Sequence, residues 1–297
     1  MREKDSQPYS AESEPTQFAD ALSSVCERHP LFAEKIQQSL EVPQRGAYHR
    51  EGETMKSHLE LVLRTLNDVA QGTFHSTLAP YETLREEMRR VVVTPEGSVS
   101  PDMVDYVFLH DIAKMDCLQL KLEGDKNGRE VSWEEWQRIA KAGKPFMCDG
   151  KAVISIAYFH PSEKSMGQHG NKAAYMLDGQ GFSSTMLRAI AKHEVAYQFG
   201  KVSAKTYEEH FLKEGFSESE QLYALVASYI DTMGSIREDG NPDLGNFTNL
   251  VVSRANLAQL QQAVDGGAVI RENALGYLKK LDHAITEEDI EKASAER

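Results

Sequence analysis

The sequence predicts a mostly α-helical protein carrying one small β-containing insertion around residues 116–160. Three observations lead there. Apolar residues recur at helical spacing through most of the chain. Helix-opening signals precede several of these stretches, in Ser100-Pro101-Asp102 and in the capping-box form Ser217-Glu218-Ser219-Glu220. Between 116 and 160 the periodicity changes instead to alternation around Asn127-Gly128, a strong short hairpin signal.

Taken in order, residues 1–15 are rich in Ser, Glu, Gln and Pro and read as a disordered tail. Phe18, Leu22, Val25 and Cys26 then trace a helix that stops near His29-Pro30. After a polar stretch, Met55, Leu59, Val62, Leu63, Leu66 and Val69 mark one face of a second helix. A third covers YETLREEMRRVVV, and a fourth, opened at Ser100, is expected to run through DMVDYVFLHDIAKMD. The insertion supplies a hairpin about Asn127-Gly128, a short helix over EEWQRIAKAG and a strand over AVISIAYF. Helical texture returns in HGNKAAYML, in SSTMLRAIAKHEVAYQF after a turn at Asp178–Gly181, and in EQLYALVASYIDTMGSI. Past a Gly/Asn/Pro-rich loop, two C-terminal helical stretches are expected, the last acidic. The division is a tail (1–15), a main domain (16–240) with its insertion (116–168), and a helical extension (241–297) packed on that domain.

Composition narrows the function. The 297 residues carry 33 Lys+Arg against 46 Asp+Glu, a net charge of −13. So acidic a chain is repelled by nucleic-acid backbones in general. Three cysteines without CxxC spacing make neither a disulfide framework nor a cysteine zinc finger, and fit a reducing, cytoplasmic setting. No apolar run reaches the roughly 18 residues of a membrane span, and the first residues lack the apolar core of a signal peptide. Phosphate-loop, nucleophile-elbow and dinucleotide-binding glycine motifs are absent.

Of the ten histidines, His58, His110, His169 and His193 stand on or beside predicted helices, as do Asp111 and Asp231. Tyr106, Val107, Phe108 and Leu109 run directly into His110-Asp111. An ionised carboxylate is rarely drawn into apolar surroundings without a compensating partner, and a divalent cation accepts a neutral imidazole and an anionic oxygen together. Side chains on separate helices converge on such an ion through tertiary packing.

The ordered set His58, His110-Asp111, His169, His193 and Asp231 resembles the HD-domain metal-dependent phosphohydrolase superfamily over about residues 45–240. FLHDIAK has the form HDxxK, HGNKAAYML and IAKHE are similar to the histidine pair of two-metal members, and LVASYIDTMGS resembles the segment carrying the last aspartate. The flavour is nearest to the HD domain of bacterial CCA-adding tRNA nucleotidyltransferases, although the nucleotidyltransferase half is missing. The intervals from His58 to His110 and from His110 to His169 are long for the pattern, and the insertion fills the second.

The resemblance implies an HD-type helical bundle with His58, His110, Asp111 and Asp231 on a first metal. It implies His169 and His193 on a second, with Asp111 bridging. Nitrogen and oxygen ligands without sulfur suit Mn, Fe, Co, Ni, Zn or Mg. It further implies hydrolysis of a phosphate ester by a metal-activated hydroxide, with Asp111 and Lys114 catalytic, on a small phosphorylated substrate such as a nucleotide, or on a nucleic-acid end. Lys114 would also bind the substrate. In the polar loop before His58, His49, with Arg50 and Glu51 beside it, is a further candidate for contact with substrate, as is Arg237 after Asp231. Two alternatives share the ligand order: a mixed-valent di-iron oxygenase resembling myo-inositol oxygenase, and a non-catalytic metal- or nucleotide-binding module.

Overall fold

A computed structural model describes residues 14–44, 49–158, 169–268 and 272–295. Most of the tail expected over 1–15, and His160, lie outside the described residues. The chain is mostly α with one four-stranded antiparallel sheet, and no described helix is long and apolar enough to cross a membrane.

Helices α1 (Glu14–Arg28), α2 (Ala33–Ser39), α3 (Met55–Ala70), α4 (Glu82–Val92) and α5 (Pro101–Leu109) form the first half. The short α2 is not anticipated from the sequence. The apolar stripe expected on α3 is buried throughout, and His58 lies on that face between Met55 and Leu59. Helix α5 starts with Pro101 at its first position, where a missing N–H costs nothing.

It ends sooner than expected. The apolar pattern carries on to Met115, but the α-helix stops at Leu109 and tighter turns follow, with Ile112 N–H donating to Leu109 O and Lys114 N–H to Asp111 O. In such turns residues three apart lie nearly one above another, so Lys114 is aligned with Asp111.

The insertion builds β1 (Leu118–Leu122), β2 (Arg129–Glu130), α6 (Trp133–Lys141), β3 (Met147–Cys148) and β4 (Lys151–Tyr158). Its sheet order is β2-β1-β4-β3, with Leu118 opposite Tyr158 and Leu120 opposite Ile156. The β1–β2 hairpin is present, but Asn127-Gly128 is not its two-residue turn: residues 123–128 connect the strands, and the left-handed residue is Gly124 (φ 82°). The tight two-residue turn is Asp149-Gly150 (φ 51° and 76°), between β3 and β4; paired positive φ values match the right-handed twist of the strands. Leu118, Leu120, Leu122, Trp136, Ile139, Val153 and Ile156 give this unit its own apolar core. Trp133 and Tyr158 pack against both it and the main core.

The second half begins with α7 (His169–Leu177) and α8 (Ser184–Ala191). The single helix expected over SSTMLRAIAKHEVAYQF breaks at Lys192, and a 3₁₀ stretch, His193–Gln198, follows. After α9 (Ala204–Tyr207) and a π turn comes α10 (Glu218–Gly234), whose capping box at Ser217 and Glu220 is fully formed. Every residue of α10 from Tyr223 to Thr232 is buried, as expected of a helix surrounded by others; it packs on α3, α4 and α8. The C-terminal part has three helices instead of two: α11 (Leu244–Asp265), α12 (Glu272–Leu278) and α13 (Glu287–Ala295). The first half of α11 joins the main core, while its end forms a small cluster with α12 and α13.

Candidate metal centre

The six histidines and aspartates singled out above meet in the main core, all buried. His58 comes from the inner face of α3, His110 and Asp111 from the turn closing α5, and His169 from the first position of α7. His193 opens the 3₁₀ stretch after α8, and Asp231 sits near the end of α10. Both helix breaks that the sequence did not predict therefore fall at candidate ligands.

The donor atoms fall into two adjacent groups, His58–His110–Asp231 and Asp111–His169–His193. In the first, Asp231 Oδ1 lies 3.1 Å from His58 Nε2 and 3.6 Å from His110 Nε2. In the second, Asp111 Oδ1 lies 2.9 Å from His169 Nε2 and 3.5 Å from His193 Nε2, and the two imidazole nitrogens are 3.0 Å apart. The other oxygen of Asp111, Oδ2, turns to the first group, 3.2 Å from His110 Nε2 and 3.8 Å from His58 Nε2. One carboxylate thus spans both groups.

The fit to metal can be judged from the atoms themselves. Two ligands of one ion, each at about 2.1 Å, stand about 3.0–3.4 Å from each other, close to the separations here. Three imidazoles are already held in the orientation ligation needs. His58 Nδ1 donates to Gly234 O at 3.0 Å, His110 Nδ1 to Val107 O at 3.0 Å and His193 Nδ1 to Ile190 O at 2.7 Å. A carbonyl only accepts, so each Nδ1 carries a proton and Nε2 is the nitrogen turned inward, the outer-shell arrangement typical of ligating histidines. Finally, His58 Nε2 and His110 Nε2 are buried without a well-formed hydrogen bond among the described residues. Leaving two such atoms unpaired is costly unless another partner exists. The residues fit one or two divalent ions.

Electrostatics agree. Burial works against charge on His58 and His110, but the carboxylates prevail: Asp231 and Glu51 raise His58 to about 9, and Asp111 with Asp231 raises His110 to about 10. Burial opposes ionisation of Asp111 too, yet Lys114 and His110 hold it well below the carboxylate range. Asp231 is held down likewise by His110 and His58. Protons here occupy the place a cation would take.

Lys114 is buried, with Nζ 2.8 Å from Asp111 Oδ2. His49 is half-buried beside His58, its ring centroid 5.9 Å away. Arg237 stays outside the cluster, its side chain partly exposed and 3.4 Å from Asp243. Glu51, read from the sequence as part of a polar loop that could contact substrate or donate a proton, is more deeply placed than a surface loop would put it. Its side chain is fully buried, 2.9 Å from His49 Nδ1 and 3.6 Å from His58 Nδ1, and it accepts the Ile236 N–H. Histidines 49 and 58 pull it down to about 2 against the opposing effect of burial. Because His58 Nδ1 is committed to Gly234 O, Glu51 packs as a brace behind this candidate ligand. Two glycines complete the seat: a Cβ on Gly170 would stand 2.7 Å from both His193 Cε1 and Ile190 O, and one on Gly234 would stand 2.5 Å from Val62 Cγ2 and 3.1 Å from His58 Cε1. No sequence signal distinguishes either from an ordinary helix glycine.

Comparison with protein-family models, with curated proteins and with solved structures gives no match for this chain. Its own geometry establishes a mostly helical protein with buried His/Asp groups able to hold metal.

Proposed function

We propose that this protein is a metal-dependent phosphohydrolase of the HD type, acting on a nucleotide or on the phosphate end of a nucleic acid. The observation that carries this reading is Asp111, one buried carboxylate whose two oxygens face two separate histidine groups. Residues His58, His110, Asp111 and Asp231 would hold one ion and Asp111, His169 and His193 the other. When bound, a pair of divalent ions polarises phosphoryl oxygens and acidifies a water.

The chain's own groups do the rest. A buried ammonium is worth more than a solvated one to developing phosphoryl charge, because little water screens it. Lys114 supplies that ammonium, kept protonated beside Asp111 despite its burial. His49, with Nδ1 engaged by Glu51, would offer its other ring nitrogen to a substrate oxygen. Three protein ligands in the second group leave room for exogenous oxygen, the pattern of catalytic rather than structural sites.

The test is elemental analysis of the purified protein, followed by phosphatase and phosphodiesterase panels with Mn, Fe, Co, Ni, Zn and Mg, with and without oxygen. Two ions per chain and phosphate release without oxygen are expected. Turnover only with iron and oxygen would replace hydrolysis by oxygenation, and tight ligand binding without turnover under any metal would leave a binding module.

A further inference from the structure

Tyr158 is the last described residue of β4, where the inserted sheet meets the main core. Lys114 Nζ lies 5.2 Å from its ring centroid, and the ring stands edge-on to His169 at 6.3 Å. Its hydroxyl oxygen is buried and has no hydrogen-bond partner among the described residues. A phenylalanine would make the same ring contacts without burying an unpaired hydroxyl, which costs on the order of 1–3 kcal/mol. The hydroxyl is therefore the feature to be explained.

The surroundings limit what it can bind. A phenol is protonated at neutral pH, so it has a hydrogen to donate. The neighbouring Lys114 is also a donor. Two neighbouring buried donors, one of them cationic, suit a ligand that is anionic and rich in acceptor oxygens.

We propose that Tyr158 is a substrate-binding residue, its hydroxyl donating with Lys114 to the oxygens of a bound phosphate group. The inserted β unit then belongs to the substrate site: β1 leaves the main core just after Lys114, and β4 returns to it at Tyr158. This rests on the phosphohydrolase reading for its ligand class, and the test separates the two.

The variant is Tyr158→Phe in the full chain, loaded with manganese(II) and titrated calorimetrically with inorganic phosphate. Metal content should equal that of the wild type. Affinity for phosphate should fall about tenfold, the equivalent of one hydrogen bond to a charged acceptor, and KM for a phosphomonoester should rise to match, with kcat changed less than about twofold. Equal phosphate affinity in the two proteins, including no binding by either, overturns the assignment. So does loss of metal from the variant, which would make Tyr158 a metal ligand or a support for one. Failure of the phosphohydrolase reading appears in the wild type alone, as absent metal or absent phosphate release.

Discussion

Asp111 and Lys114 share an ion pair but differ in what their removal should do. Asp111 serves both groups of donors, so Asp111→Ala should bring metal content close to zero. His193→Ala should leave the first group whole and retain about one ion per chain. Elemental analysis distinguishes these outcomes, and two ions persisting in His193→Ala would refute the division into two groups. Among the described residues, Lys114 meets the candidate donor atoms only through Asp111 Oδ2. Lys114→Met keeps most of the buried stem, so metal should remain, while turnover falls about 10²- to 10³-fold, the usual effect of losing one preorganised charge-stabilising donor. Loss of metal in that variant would reassign Lys114 to holding Asp111 in place.

At the scale of elements, the centre depends on how closely helices approach, and glycines set the limit. Adding a methyl group to a helix glycine normally stabilises by about 0.5–1 kcal/mol. Gly276, in the interior of α12 with open space around it, should follow that rule in Gly276→Ala. Gly170→Ala should not, because the new carbon meets the backbone oxygen of Ile190 and the ring of His193, neither of which yields cheaply. A net loss of about 1–3 kcal/mol, typical of overpacking, is expected, with weaker binding of the second ion. Thermal melts of the two variants, with and without manganese, check the contrast; parallel behaviour would mean that α7 and the His193 turn are not tightly joined.

The same elements explain what was legible in advance. Helices α3, α7 and α10 were readable because one apolar face, or a wholly apolar surround, repeats at helical spacing. The breaks at His110 and Lys192 were not. Ile112 and Ala113, or Val195 and Ala196, stay buried beyond them, so the apolar signal runs straight through a change of backbone. At each break a carbonyl of the preceding helix, Val107 O or Ile190 O, accepts from the imidazole, a tertiary detail that no apolar pattern carries. Glu51 escaped for a related reason. A loop carboxylate looks solvated until the end of α10 closes over it, and only tertiary packing brings the Ile236 N–H to it.

For the whole molecule, the linked charges predict how stability follows pH. His58 and His110 are raised to about 9 and about 10. A raised imidazole stabilises fully below its unfolded value, about 6.5, and that contribution is lost as pH climbs through the folded values. Asp111 and Asp231 are lowered, and Glu51 to about 2. These carboxylates contribute above the ordinary range, about 3.9–4.3, and the contribution disappears in acid. His193 and His49 are lowered, mainly by burial, so protonation of the unfolded chain works against them below about 6.5. The metal-free protein should therefore be most stable near neutrality, with Tm falling from about pH 7 towards pH 10. Bound metal reverses the alkaline side, since His58 and His110 then ligate as neutral imidazoles and a proton is no longer needed between them and the carboxylates. Metal uptake near pH 7 should release protons. An ion held at a hundred times its Kd should add about 2.7 kcal/mol. Melting curves from pH 5 to 10, in chelator and in manganese, give the comparison. A chelated protein whose Tm rises between pH 7 and 9 would show that His58 and His110 are not charged in the fold, and the account of protons standing in for a cation would fall with it.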